Sequence, residues 1–377
     1  MKTMTAVILA ALAAPCTQAA PPVPPRPVSQ PARAGGPAVG MMQRAWVDPA
    51  RRNWTNTGPR PLATVVWYPA APGAPLVDVL AGQKVPFRVP LVAAGAPLAP
   101  GARKYPLVVL SHGTGGAAVS LMWLGHALAA HGYIVAAVNH HGNNALEPPT
   151  PQGFLLPWER ATDLSLLITQ MLADPQFGPR IDPARIGATG FSLGGFTVIE
   201  LAGGRIDFQA FLDFCASPER DFTCAPQPEF PEAWAQFNAI KDKDPQVIAS
   251  LKRSGDSYRD ERVRAAFAMA PALGEGFSEA RLNGVTIPVQ IVIGGGDTVT
   301  PLETNAERFS AFIPGAKLTV LDGPVQHYDF LDECTPEAAA AVPLCQEKPG
   351  VDRARVHAKV EEMAIAFFDA AWSRPAR

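Results

Sequence analysis

Short, almost wholly apolar runs alternate with longer stretches of helical spacing along this chain, and that rhythm leaves few folds open. "PLVVL" (Pro106 to Leu110), "YIVAAVN" before His140, "RIGATGFS" ending at Ser192, "RAAFAMAP" (Arg264 to Pro271), "VQIVIGGGD" (Val289 to Asp297) and "KLTVLDG" (Lys317 to Gly323) read as strands. Between and after them, Leu121 to His131, Asp163 to Leu172, "LGGFTVIELAGG" following Ser192, and Asp352 to Trp372 follow helical spacing. A strand apolar on both faces must be covered on both, so the alternation predicts an α/β fold with a mostly parallel central sheet and helices on both faces. An earlier β-branched and aromatic run, "ATVVWYPA" (Ala63 to Ala70), adds a strand. One polar stretch, about 205–261, breaks the rhythm between the helix after Ser192 and the strand at Arg264. It is read as a helical cap over the carboxyl edge of the sheet. With 377 residues, 47% of them hydrophobic, one large domain accounts for residues 41–377.

The N-terminus has another character. Lys2, an apolar run from Ala6 to Ala14, and small residues at Thr17 and Ala19 have the pattern of a secretory signal peptide over residues 1–19. The run is too short to span a membrane stably. Cys16 suggests a lipoprotein anchor as a lesser alternative, although Pro15 stands where a small residue is expected. Residues 20–40 form a Pro/Ala/Gly-rich linker with no core-forming pattern, so order is expected from Met41. A secreted or periplasmic location follows from this reading. Cysteine usage agrees with it, because cleavage of the signal leaves Cys215, Cys224, Cys334 and Cys345, an even set in an oxidising compartment. Four cysteines permit three connectivities, and the short spacings favour Cys215–Cys224 and Cys334–Cys345.

Net charge is −2 with no basic stripe, which argues against nucleic acid as a partner. The chemistry concentrates elsewhere. Gly190-Phe191-Ser192-Leu193-Gly194 matches G-x-S-x-G, a pattern that is weak alone and gains weight from a strand before it and a helix after it. In such a turn the glycines let strand and helix approach closely, while a strained serine lifts its Oγ above the sheet. A serine nucleophile needs a base, and the base needs an orienting acid, both from carboxyl ends of strands and in the order serine, acid, histidine. Asp297 ends the run "VQIVIGGGD", and His327 follows 30 residues later, just past the next strand. "TPLE" after Asp297 reads as a capping box, with Thr300 as N-cap, Pro301 at N1 and Glu303 at N3 of the next helix.

Competing assignments exist for each residue. In isolation Asp297 is an ordinary turn aspartate. Asp322 ends a later strand, and Asp329 is too near His327 along the chain. His126, His131 and His357 fall in predicted helices, whereas His140 and His141 follow a strand and could line the pocket but precede Ser192. An oxyanion needs two amide donors. Leu193 supplies one at the start of its helix, and the glycine-rich loop "SHGTGG" (Ser111 to Gly116) supplies the other through Thr114. His112 is then a loop-fixing residue. No phosphate-binding glycine motif is present there. Cap aromatics Phe208, Phe211, Phe214, Phe230, Trp234 and Phe237 point to apolar ligands or equally to a cap core.

Taken in order, "LVVLSHGTGG", "RIGATGFSLGG", "IVIGGGDTVTP" and "HYDFL" resemble secreted bacterial α/β-hydrolases of the dienelactone-hydrolase-like group, which are similar in turn to plasma platelet-activating-factor acetylhydrolase. The resemblance runs from about Thr64 to the C-terminal helix. It implies an α/β-hydrolase fold and a serine carboxylic-ester hydrolase acting on small-molecule esters, without metal or cofactor. By position it maps the nucleophile to Ser192, the acid to Asp297, the base to His327 and the oxyanion donors to Thr114 and Leu193. Dienelactone hydrolases proper carry a cysteine nucleophile, so the departure at Ser192 separates fold group from substrate. The other readings are an amidase or peptidase with the same triad, and a secreted binding protein that keeps the fold without catalysis.

Overall fold

The computed structural model describes residues 38–83 and 85–373. The proposed signal peptide, Cys16, and the linker up to residue 37 lie outside the described residues. The first strand, β1 (Val39–Arg52), begins two residues before the expected start at Met41, because Val39 already pairs with Pro69 and is buried in the core. β2 (Pro59–Pro69), the short β3 (Ala93–Ala94) and β4 (Tyr105–Ser111) follow, then β5 (Ile134–Asn139), β6 (Ile181–Phe191), β7 (Val263–Met269), β8 (Val289–Gly294) and β9 (Lys317–Leu321). They form one nine-stranded sheet in the order β3-β1-β2-β5-β4-β6-β7-β8-β9. Strands β5, β4, β6, β7, β8 and β9 run parallel, and the antiparallel pairs are β1–β2 and β2–β5.

Burial explains why the apolar runs became strands. Every residue of β4, β5 and β8 is buried, as a strand covered on both faces requires. β1, near the edge, instead alternates between buried or half-buried and exposed positions through its middle. The helices α1 (Met122–His131), α2 (Pro151–Leu155), α3 (Glu159–Ala173) and α4 (Leu193–Leu201) lie between the central strands in sequence, and α11 (Arg353–Trp372) closes the chain. α1 packs with α11 on one face, and α3 packs with α4 on the other. Asp352 caps α11 by accepting from the Arg355 amide at 3.2 Å.

The polar stretch 205–261 folds as three helices, α5 (Phe208–Ala216), α6 (Ala233–Ile240) and α7 (Pro245–Leu251). Asp207 and Asp244 cap α5 and α7, and Pro245 takes the first helical position of α7, where its missing N–H costs nothing. α6 packs on α2. After β7 come the short α8 (Glu279–Leu282), α9 (Ala306–Phe312) and α10 (Pro336–Ala341). The capping-box reading at Thr300 is corrected here: α9 starts at Ala306 with Asn305 as its cap residue, and the segment from Thr300 forms turns. Among the described residues no helix is long and apolar enough to cross a membrane.

Cys215 is bonded to Cys224 and Cys334 to Cys345, which is the pairing that the spacing favours. The first ties the end of α5 to the turn Phe222–Cys224 within the cap. Closing loops of this length stabilises by about 2–3 kcal/mol each, mostly through the unfolded chain. Thiol titration of the folded chain is therefore expected to find none of these four cysteines reactive, and all four after reduction in denaturant. A reactive thiol before reduction would refute the pairing.

Candidate functional site

The site is built at the carboxyl ends of the parallel strands. Between β6 and α4 the chain turns within one residue, and Ser192 sits at φ 57° and ψ −120°, a strained conformation for a non-glycine residue. What compels this turn is backbone contact. A Cβ on Gly190 would lie 2.2 Å from the Gly194 carbonyl oxygen, and one on Gly194 would lie 2.0 Å from the Ser111 carbonyl oxygen. No side chain fits at either position. The turn is held by the Ser192 amide, which donates to Met269 O at the end of β7 at 2.9 Å.

Ser192 Oγ is 2.9 Å from His327 Nε2, and His327 Nδ1 is 2.8 Å from Asp297 Oδ2. A carboxylate only accepts, so the imidazole carries its proton on Nδ1 and presents Nε2 as acceptor to the serine hydroxyl. Asp297 is fixed in turn. Its Oδ1 accepts from the Val299 and Thr300 amides, both at 2.9 Å, and its Oδ2 accepts from Thr300 Oγ1 at 3.1 Å. Thr300 thus serves the acid instead of starting a helix. The Phe191 ring lies 4.6 Å from the His327 ring and restricts its tilt. The competing acids stand apart: the Asp322 side chain is fully exposed, and Asp329 accepts from the Gln326 amide and pairs with Arg353.

Thr114 and Leu193 line the same cavity as Ser192. Among the described residues neither amide donates to a protein acceptor. The cavity holds about 90 Å³, and the cap closes it with Phe208, Phe211, Phe230 and Trp234. Phe237 is buried away from it in the main core, and Phe214 is half-buried and does not line it. Glu229 was not singled out by its sequence context, yet its side chain lies against Gly115 of the glycine-rich loop, where a Cβ would come within 2.5 Å of it. Among the described residues no cluster of His, Cys, Asp and Glu could hold a metal ion.

The histidines that follow β5, which their position left as candidates to line the pocket, do not line this cavity. His140 is buried between Ser111 and Asp163, at 2.9 Å from each, and His141 bonds Glu147 at 2.9 Å and the Trp54 amide at 3.2 Å. His112 does fix its own loop, with Nδ1 2.7 Å from Gly113 O. Burial would push the Asp163 carboxyl up, but Arg60 and Arg51 hold it well below the usual carboxylate range. Burial pulls Arg160, its neighbour along α3, down to about 9, so it stays charged at neutral pH.

This strand order, with a serine at a strained strand–helix turn and an acid and histidine from later strand ends, is that of an α/β-hydrolase. The chain resembles the platelet-activating-factor acetylhydrolases in particular: the family model "Platelet-activating factor acetylhydrolase, isoform II" matches residues 77–148. Lipase 1 of Moraxella sp. (strain TA144) is 30% identical over 103 residues, which are 27% of this chain and 29% of the lipase. Cutinase est1 of Thermobifida alba is 32% identical over 110 residues, 29% of this chain and 34% of the cutinase. The chain thus spans about a third of the length of these relatives. A ferulic acid esterase from Streptomyces cinnamoneus has a similar fold over 92% of this chain and 93% of its own, at a TM-score of 0.59 and 23% identity.

Buried histidines give the site region a pH signature, His112 among them, which burial and Arg160 hold well below the usual histidine range. Burial lowers His140 to about 3 with help from Arg160, and likewise lowers His357, which stacks on Trp123, to about 3 with help from Arg353. Free histidine titrates near 6.5, so keeping these rings neutral contributes stability that is complete above that pH and lost as pH falls from 6.5 toward 3. Within that range, once the pH is well below 6.5, unfolding free energy is expected to fall by about 1.4 kcal/mol per histidine per pH unit. His357→Gln should remove one proton's share of the slope in urea titrations between pH 7 and 5. An unchanged slope would contradict the assignment.

Proposed function

We propose that the protein is a serine carboxylic-ester hydrolase that works through an acyl-enzyme on small or lipid-like esters. The observation that carries this reading is the continuous line from Ser192 Oγ through His327 to Asp297, open to the cavity that Thr114 and Leu193 also line. In the mechanism we infer, His327 Nε2 takes the hydroxyl proton as Ser192 Oγ attacks the ester carbonyl carbon. The carbonyl π electrons move to oxygen, and the amides of Thr114 and Leu193 meet the resulting charge. The α4 dipole adds to that field. Collapse expels the alkoxide, which receives its proton from His327. Water then repeats the sequence on the acyl-serine and releases the acid. Asp297 stays ionised throughout and holds the ring in its acceptor tautomer.

Relatives named lipase and cutinase support an ester in preference to an amide, and the aromatic cap supports an apolar group beside the scissile bond. Export through a signal peptide over residues 1–19 belongs to the same reading, and the two disulfides support it. Likeness to dienelactone hydrolases is proposed at the level of fold group only.

Ser192→Ala is expected to lower kcat on p-nitrophenyl acetate by roughly 10⁴–10⁶ and to abolish labelling by a fluorophosphonate. Near-native turnover in that variant would sink the proposal. Matched ester and amide substrates test the choice of bond, with the ester expected to be cleaved far faster.

A further inference from the structure

Beneath the glycine-rich loop lies a second serine–histidine–aspartate line that the proposed reaction does not use. Ser111 Oγ is 2.9 Å from His140 Nε2, and His140 Nδ1 is 2.9 Å from Asp163 Oδ2. Its connectivity repeats that of Ser192, His327 and Asp297, but its chemistry differs. Ser111 is fully buried, and Arg160 Nη2 donates to its Oγ at 3.3 Å. No substrate reaches that oxygen, and a guanidinium occupies the place of an electrophile.

The proton positions along this line follow from the partners. Asp163 only accepts, so His140 carries its proton on Nδ1, and the Ser111 hydroxyl donates to Nε2. The same Arg160 Nη2 also donates to the His112 carbonyl. One residue further, the His140 backbone amide donates to His112 Nε2 at 3.1 Å. That nitrogen is therefore an acceptor, the His112 proton sits on Nδ1, and it donates to the Gly113 carbonyl at 2.7 Å. The Gly116 amide reaches the same carbonyl at 3.3 Å.

The Gly113–Thr114 peptide is planar and trans, as every described peptide bond is. Its N–H therefore points opposite to its C=O. With the carbonyl drawn down toward His112, the Thr114 N–H is turned up toward the cavity that Thr114 shares with Ser192. The next amide, Gly115 N, is consumed by Asn143 Oδ1 at 2.6 Å. The anchor at the far end is firm, because Asp163 is also gripped by Arg60 at 2.8 and 2.9 Å and by Arg51 at 2.5 Å.

We propose that Ser111, His140, Asp163 and Arg160 are positioning residues that aim the Thr114 amide at the developing oxyanion. This rests on the ester-hydrolase reading above. The four residues act through His112 and the loop backbone, and none touches substrate. Losing a single oxyanion donor costs about 10²–10³ in kcat, so a misaimed one should cost part of that.

The test uses Ser111→Ala, which removes one oxygen, and His140→Asn, which keeps a donor toward Asp163 and removes the acceptor for Ser111. Both are assayed on p-nitrophenyl acetate and with a trifluoromethyl ketone, whose adduct on Ser192 carries an oxyanion. We expect kcat/KM to fall about 10- to 100-fold with KM changed less than about threefold, and the ketone's inhibition constant to rise by the same factor as kcat/KM falls. Val360→Ala, a buried α11 position outside this array, should lower Tm and leave both constants alone. If His140→Asn does not fold, Ser111→Ala carries the test. Ketone affinity within about twofold of the parent in the folded variants overturns the assignment alone. A parent protein that neither cleaves the ester nor binds the ketone overturns the underlying reading, and the assignment with it.

Discussion

Three backbones meet at one point in this molecule, and the rest of the site depends on that contact. The end of β6, the start of α4 and the end of β4 approach so closely that Gly190 and Gly194 have no room for a Cβ, the latter facing Ser111 O at 2.0 Å. The approach forces Ser192 into its positive φ and lifts its hydroxyl above the sheet. It also brings the glycine-rich loop after β4 against the first turn of α4, so Thr114 and Leu193 line one cavity. The strain is tolerated because surrounding structure over-determines it. β6 is paired on both sides, and α4 is buried along its whole length.

Around that point the sheet acts as a frame that converts distant sequence into short distances. Asp297 follows β8 and His327 follows β9, and parallel pairing places both strand ends on the side where β6 ends. Each polar group then carries a further partner. Thr300 and two backbone amides hold Asp297, Asp297 holds His327, and Phe191 limits the ring from the side. The cap adds the apolar wall. Its helices are short and individually marginal, and they persist through the Cys215–Cys224 bridge, their aspartate caps and the packing of α6 on α2.

Much of this is legible in the amino-acid sequence. Period and apolarity identify the strands, because a doubly covered strand has no polar face to alternate with. Asp297 and His327 stand out because strand ends are where such sheets carry their chemistry, and the order serine, acid, histidine narrows the choice. The capping-box reading of "TPLE" failed for a physical reason. Thr300 has the residue type of a cap, and a nearby buried carboxylate outcompeted a helix for its hydroxyl and amide. His140 shows a different gap. Its position after β5 made it a pocket candidate, whereas Asp163 and Arg160 from α3 and Arg51 and Arg60 from β1 and β2 converge beneath the loop and draw its ring inward.

What the amino-acid sequence determined by itself was therefore local: which segments are strands and helices, where the backbone must turn without side chains, and which residue types stand at strand ends. These follow from periodicity, from the space a Cβ needs and from the few bonds each side chain can make. Only the tertiary structure decided which buried charges meet, which proton each histidine carries, and which way the Gly113–Thr114 peptide faces. Those depend on partners more than 20 residues apart, such as His140 with Ser111 and with Asp163. No local pattern encodes them, because they exist once β4, β5 and α3 have packed.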